Sequence, residues 1–301
     1  MDGERSSWNG ALFVLLGSML WGTTGTSQAL APEGADSLAV GALRLVVGGA
    51  ALLGMALVRG SFRKGGRWQV APTVMAILAT AFYQPFFFTG VSRTGVAVGT
   101  LVTLASSAVI SGLLGYVFFH EKPAEKWYLS SLLAIAGCFL LTLSGKAEGT
   151  ANPAGMLFSL GAGFSYSVFV LSGKSLLKDH GADAVNGLVF SAAGVLYVPV
   201  LIINPPFWLA NPRGLLVAFH LGLVATALAY FLFLKGLSSV PASTGVTLSM
   251  AEPLTASMLG VYLLGERLNF AGGMGMALLF SGVALLALGA GSGSARDERR
   301  T

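Results

Sequence analysis

Charge is what this chain has least of. Only 10% of its 301 residues are Asp, Glu, Lys or Arg, against 54% hydrophobic, and its mean hydropathy is +0.75. Soluble domains carry about 25% charged residues, so a water-soluble globule is excluded and an integral membrane protein remains. Cysteine is nearly absent too. Cys138, the single one, lies in an apolar run, which rules out a disulfide framework or a thiolate metal site and reads as a small core residue. The three histidines, His120, His180 and His220, are too dispersed along the chain to gather a metal ion. No nucleophile, base and acid stand at a catalytic spacing, and no cofactor fingerprint appears. The expectation is therefore a protein that is not an enzyme and uses neither cofactor nor metal. The net charge of +5 comes from basic residues scattered between apolar runs, with no basic stripe or interleaved aromatics, so nucleic acid is not an expected partner.

What is abundant is long uncharged sequence. A helix crosses the hydrocarbon core in about 20 residues, and on that measure the chain divides into ten spans near 9–30, 38–58, 70–91, 95–119, 127–145, 153–174, 184–203, 214–235, 242–264 and 270–290. Two of them must carry a charge. Only 14 residues separate Arg44 from Arg59, too few to cross, so span 2 starts near Leu38 and includes Arg44. The uncharged pieces flanking Glu252 are likewise too short alone, so span 9 contains Glu252 near its midpoint.

The sequence repeats itself at an offset of 145 residues. "GALFVLLGSMLW" (10–21) lies over "GMLFSLGAGFSY" (155–166), pairing Trp21 with Tyr166, and "LLGYVFFHEK" (113–122) lies over "MLGVYLLGER" (258–267), pairing Glu121 with Glu266. Each half then holds five spans, and an odd number forces the second half to enter from the opposite side. The predicted fold is an all-α membrane protein of ten transmembrane helices in two inverted five-helix repeats, 1–148 and 149–301, forming one integral domain. Secondary transporters use this architecture to build a substrate site at the midplane.

Orientation follows from the loops. With the N-terminus cytoplasmic, thirteen Lys and Arg fall on the inner side and four on the outer, Arg93, Lys146, Arg213 and Arg267. The asymmetry predicts a multi-pass protein of the cytoplasmic membrane with both termini inside. Arg5 before an apolar stretch, with Ala29-Leu30-Ala31 after it, also resembles a cleaved signal peptide, but the repeat counts this segment as a span.

Candidate site residues collect where the span centres fall. Glu252 is the strongest, because an acid at a helix centre costs about 2.5–3.5 kcal/mol to insert and turns toward a cavity or partner. Pro253 beside it lacks an N–H and should free the carbonyl of Ser249, so carboxylate and carbonyl together would accept an ammonium group or a proton. The alternative is an internally paired Glu beside a packing kink. Arg44 lies roughly 6 Å outward of its span's middle at 1.5 Å per residue. It either receives a substrate carboxylate or binds a carbonyl or Glu252 and holds helices together. Tyr83-Gln84-Pro85 is a second broken-helix candidate, with Pro85 freeing the carbonyl of Ala81 and Gln84 offering donor and acceptor. Trp21, Phe86, Phe87, Tyr166 and Tyr230 suit an aromatic wall, and Ser107 adds a hydroxyl. Tyr116, Trp127 and Trp208 near span ends read as interface anchors. "GAGFSYS" (161–167) and "AGGMGMA" (271–277) lie within spans, where small residues allow close helix approach.

"GSMLWGTTGTSQAL" (17–30), "ALRLVVGGAAL" (42–52), "LGYVFFHEK" and "EPLTASMLGVYLLGERL" (252–268) resemble the EamA-type carriers of the drug/metabolite transporter superfamily. The first and last look most like the YddG-type aromatic amino acid exporters. The resemblance covers about residues 8–290 and implies ten helices in inverted repeats, a central cavity lined by spans 1–4 and 6–9 with spans 5 and 10 peripheral, and alternating access for small metabolites. It departs from the family's pattern at Ser107-Ala108, which stand where the second half has Glu252-Pro253. The predicted activity is export of aromatic or large neutral amino acids, with Glu252 and Ser249 toward the ammonium and Arg44 or Gln84 toward the carboxylate. The alternatives are a carrier of another small solute, a cationic drug, sugar or nucleobase, or a membrane protein that binds a ligand without moving it.

Overall fold

The computed structural model describes residues 2–63, 65–120, 123–144, 152–263, 265 and 269–290, with backbone alone at 2–6, 37, 96, 97, 144 and 290. Glu121, Glu266 and Arg267, which close the repeated motifs, lie outside these residues. Every described element is helical, apart from an isolated bridge between Gly65 and His180. The helices are α1 (Asp2–Ala29), α2 (Ser37–Val58), α3 (Val70–Thr94), α4 (Val96–Phe119), α5 (Glu125–Ser144), α6 (Pro153–Leu176), α7 (Ala182–Ile203), α8 (Pro212–Phe219), α9 (Ala229–Leu237), α10 (Ala242–Leu248), α11 (Ala251–Leu263) and α12 (Phe270–Ala290). A π-helical stretch, His220–Leu228, joins α8 to α9 in one continuous span.

Local sequence explains where several helices start. Asp36 caps α2 by accepting from the N–H groups of Leu38 and Ala39 at 3.1 and 3.0 Å. Asn152 and Asn211 cap α6 and α8 in the same way, each followed by a proline in the first helical turn, where the missing N–H costs nothing. Between α3 and α4 the whole connection is Gly95, at φ 86°, a left-handed conformation open to glycine.

Among the described residues, eight helical spans are long and apolar enough to cross a membrane: 38–58, 70–94, 98–119, 125–143, 153–176, 182–203, 212–237 and 270–289. Two of the ten expected spans are not among them, each for a visible reason. The apolar run of α1 is diluted by Gly22-Thr23-Thr24-Gly25-Thr26-Ser27-Gln28. The ninth span is broken at Ser249-Met250 into α10, of 7 residues, and α11, of 13.

Packing pairs the helices in a regular way. α2 lies along α7 and α5 along α12, while α3 and α4 pack on α6 as α9 and α11 pack on α1. Exchanging each span with the one five places later reproduces this pattern. Lipid-side positions carry apolar side chains such as Leu113, Phe118, Leu157 and Leu216, each more than half exposed. Trp127 and Trp208 are not interface anchors: both are 8% exposed, and the Trp127 indole donates to Thr247 Oγ1 at 3.0 Å across to α10. Tyr116 is 52% exposed, as an anchor would be.

One end of the bundle is closed where the connection that follows α2 meets the turn from α6 into α7, one from each half. Arg59 pairs with Asp183 at 2.9 Å, Gln69 Nε2 donates to Asp179 at 3.0 Å, and the Trp68 ring stacks on His180 with centroids 3.8 Å apart. Lys174 Nζ donates to the Val240 carbonyl at 2.6 Å nearby.

Candidate functional site

The broken ninth span is the first feature of the site. Its halves meet in a tight turn in which Met250 N–H bonds Thr247 O at 3.1 Å and Glu252 N–H bonds Ser249 O at 3.0 Å. The Ser249 carbonyl is therefore taken, contrary to the expectation that Pro253 would leave it free. The physical reason is that the chain breaks ahead of the proline. Restarting the helix at Ala251 puts Pro253 in its first turn, where no N–H is required, and leaves Glu252 in the same turn beside the positive end of the α11 dipole. α1 crosses this break closely, because a β-carbon at Gly22 would sit 2.6 Å from the Glu252 carbonyl oxygen.

Around Glu252 lies a cavity of about 400 Å³, within the range of small-molecule sites. It brings together Trp21 of α1, Arg44 of α2, Tyr83, Gln84 and Phe87 of α3, Tyr166 of α6, Tyr230 of α9, and Ser249, Glu252 and Pro253 of the broken span. Among the described residues the Glu252 carboxylate makes no hydrogen bond. Arg44 enters from another wall, held by Thr226 Oγ1 at 3.1 Å from Nε and by Ala225 O at 3.3 Å from Nη2. It ties α2 to the eighth span and at the same time lines the cavity.

The aromatic wall is a connected cluster. The Trp21 ring lies 4.7 Å from Tyr230, 5.0 Å from Phe233 and 6.2 Å from Tyr166, and Tyr83 stacks on Phe87 at 5.7 Å. Among the described residues Trp21 Nε1 and Thr24 Oγ1 are buried without a partner, and the Tyr166 hydroxyl, beside Ser249, makes no bond of good geometry. Buried donors of this kind await an acceptor; a solute or water in the cavity would supply it.

Other expected residues fall elsewhere. Ser107 is 1% exposed and does not line the cavity: its hydroxyl bonds back to Leu104 O at 2.8 Å, and its carbonyl accepts from Ser167 at 3.1 Å. Pro85 points outward, exposed, inside an unbroken α3. The carbonyl of Ala81 that it frees is taken by the Tyr197 hydroxyl at 2.6 Å, so it serves the α3–α7 contact and no ligand. Phe86 turns to Phe158, at 6.1 Å. α5, expected to be peripheral, contributes Cys138, Leu141 and Thr142 to the cavity. Gln28, Thr100, Thr103 and Ser257 also line it. The hydroxyls among them were missed because such side chains in apolar helices usually bond their own backbone, which gives no pattern to read. No group of three His, Cys, Asp or Glu able to hold a metal occurs among the described residues.

The lining has a direction. It runs from Trp21 to Gln28 in α1, starts at Val40 in α2, reaches Phe88 in α3, and begins at Thr100 in α4, so it occupies the bundle from its middle to the end where α1 passes into α2. Toward the other end, below Trp21, the bundle is filled by Phe169, Phe233, Leu234 and Leu237, each 3% exposed or less.

The EamA-like transporter family matches residues 8–143 and, 145 residues on, 153–288. This chain belongs to the EamA-like transporter family. The double match carries the same displacement as the repeat in the sequence. The transporter is 43% identical over 277 residues, 92% of its length and 93% of the relative's, to the uncharacterized transporter YwfM of Bacillus subtilis. It is 22% identical over 290 residues, 94% and 96% of the two chains, to the uncharacterized inner membrane transporter YicL of Salmonella typhimurium. It is 28% identical over 202 residues, 62% and 64% of the two, to the threonine/homoserine exporter RhtA of Escherichia coli. A crystal structure at 21% identity superposes with a TM-score of 0.80, covering 93% of this chain and 97% of that one; it supports the fold alone. The protein is thus a multi-pass membrane transporter and not an enzyme. None of these relatives is named for aromatic amino acids, so the YddG-type likeness is not extended by them.

Proposed function

We propose that this transporter exports neutral amino acids, preferring aromatic or large apolar side chains, across the cytoplasmic membrane by alternating access. The observation that carries the proposal is the pairing in one cavity of an unpartnered carboxylate, Glu252, with a guanidinium, Arg44, beside an aromatic cluster. Two opposite charges separated by a cavity suit a zwitterion. A monocation would meet Arg44 as a repulsive neighbour, and an uncharged sugar would leave both ions unpaired in a region of low dielectric, which is costly.

In this reading the chain crosses the bilayer ten times, as two five-span repeats, 1–148 and 149–301, of opposite orientation with both termini cytoplasmic. The exchange pattern of helix contacts and the 145-residue displacement support it. The end of the bundle toward which the cavity extends then faces outward and the clasp of Arg59, Gln69 and Trp68 on 179–183 closes the cytoplasmic side. Rocking of the repeats about Glu252 would open that side in turn.

A second substrate reading is favoured by the hydroxyls and amide of the lining, Thr24, Gln28, Thr100, Thr103, Thr142 and Ser257. They suit a small polar amino acid such as those in the name of RhtA. Counterflow in liposomes separates the two. Exchange of labelled phenylalanine, tyrosine or tryptophan above that of threonine and homoserine supports the aromatic reading, the reverse order supports the polar one, and exchange of none of the five sinks both.

A further inference from the structure

The turn that holds Arg44 is built from unusual backbone. Residues 220–228 are π-helical, a form rare in proteins and often found at functional sites. At its exit the N–H of Ala229, which an α-helix would give to Ala225, bonds Val224 instead, and the next carbonyl used is that of Thr226. The passed-over Ala225 carbonyl accepts Arg44 Nη2 at 3.3 Å. Thr226 is fully buried and does not line the cavity. Its hydroxyl proton is committed to Leu221 O at 2.7 Å, so toward Arg44 Nε, at 3.1 Å, it can only accept.

The rest of the neighbourhood holds this stretch in place. A β-carbon at Gly48, one turn after Arg44, would fall 2.8 Å from Thr226 Cβ, and one at Gly222 would fall 2.9 Å from Val47 Cβ, so two glycines let α2 and the π stretch touch. His220 Nε2 and Thr23 Oγ1 are 2.8 Å apart, joining the same stretch to α1. Nε and Nη2 share one edge of the planar guanidinium, and both are occupied by this wall. The terminal Nη1–Nη2 edge is left, and Nη1 has no acceptor among the described residues. A guanidinium fork binds a carboxylate bidentately along one edge.

We propose that Thr226 is a positioning residue for substrate recognition: by fixing the Nε edge of Arg44 it presents the Nη1–Nη2 end to the cavity, and so sets the preference for solutes with a free carboxylate. The inference rests on the reading of the cavity as an amino acid site. It is tested with purified protein in liposomes, comparing phenylalanine with phenylalanine amide, and threonine with threonine amide, as competitors of counterflow. Wild-type protein favours the acids. Thr226→Val, nearly isosteric, raises KM for the acid roughly ten- to a hundredfold, the worth of a hydrogen bond to a charged group, with maximal flux and inhibition by the amide little changed. Thr226→Ser restores the wild-type KM, and Thr226→Ala carries the same expectation as valine if valine does not fold. Wild-type protein that prefers the acid while Thr226→Val keeps that preference overturns the positioning role alone. Loss of maximal flux at unchanged KM, in both the valine and serine variants, also overturns it. Wild-type protein indifferent to the carboxylate overturns the cavity reading and this inference together.

Discussion

Span 4 and span 9 occupy equivalent places in the repeat, yet only one is broken. At the 145-residue offset Ser107 corresponds to Glu252 and Ala108 to Pro253. α4 runs unbroken from Val96 to Phe119 and buries Ser107 against α6, whereas its counterpart stops at Leu248 and restarts at Ala251 with its acid in the cavity. Spans 3 and 8 repeat the lesson. Each offers a carbonyl that its own helix does not use, Ala81 through Pro85 and Ala225 through the π turn. The first goes to Tyr197 of α7 and the second to Arg44 of α2. One scaffold thus carries a structural version of each device in one place and a cavity-facing version in the other.

The largest expected effect removes the charge that separates span 9 from span 4. Glu252→Gln keeps the shape and the helix restart but leaves the ammonium of a zwitterion without a counter-charge. Counterflow should fall about a hundredfold or more, given charge-assisted hydrogen bonds worth about 1.5–3 kcal/mol and the loss of the ion pair itself. Thermal unfolding in detergent should change little, since among the described residues the Glu252 carboxylate makes no hydrogen bond to lose. Transport at the wild-type rate would return Glu252 to a packing role and make the two spans functionally alike.

Next in size is Arg44→Lys. A lysine keeps one positive charge but cannot hold Thr226 and Ala225 while presenting a second fork to a carboxylate. KM for amino acids should rise about tenfold, read from concentration dependence of counterflow, with a smaller change in maximal flux. An unchanged KM would mean that the contact of α2 with the π-helical stretch is a tie between helices and nothing more, as the α3–α7 contact is.

Much of this was legible in the sequence, and the misses share a cause. Length and hydropathy placed most helices to within a few residues because the apolar runs are long and the loops short, though α1 starts seven residues before the expected span and the ninth span is two helices. Trp21, Arg44, Tyr83, Gln84, Tyr166, Tyr230 and Glu252 could be named because a polar or aromatic group at mid-span is unusual enough to stand out. What one sequence could not say is which face a residue takes. Pro85 and Pro253 look alike on paper. One sits outward in an unbroken helix, its freed carbonyl taken by Tyr197, and the other is absorbed into the first turn of a new helix. The π turn is invisible for the same reason, since "HLGLVATAL" has no residue that enforces it. Cys138 and Thr142 were assigned to a peripheral span, and only packing shows α5 reaching the cavity.

Tyr197→Phe tests the structural version of the freed carbonyl. It deletes the 2.6 Å bond to Ala81 O and leaves a buried acceptor unsatisfied, because Pro85 has no N–H to offer it. The expected cost is about 1–3 kcal/mol of stability, seen as easier unfolding in detergent, with the order of substrate preference unchanged. A changed preference would place Ala81 and α7 in the recognition machinery.

The smallest effect is expected at Ser107→Ala, the counterpart of Glu252. Among the described residues the Ser107 hydroxyl bonds only its own helix, at Leu104 O. Such back-bonding slightly weakens a helix, and alanine has the higher helix propensity. The contact across to α6 uses the Ser107 carbonyl as acceptor from Ser167, which alanine retains. Neither partner group is left unsatisfied, since Leu104 O keeps its backbone bond, so stability should stay within about 0.5 kcal/mol and counterflow within twofold. A clear loss of transport with stability intact would mean that α4 meets the solute at another stage of the cycle, and the asymmetry between spans 4 and 9 would then belong to one conformation and not to the chain.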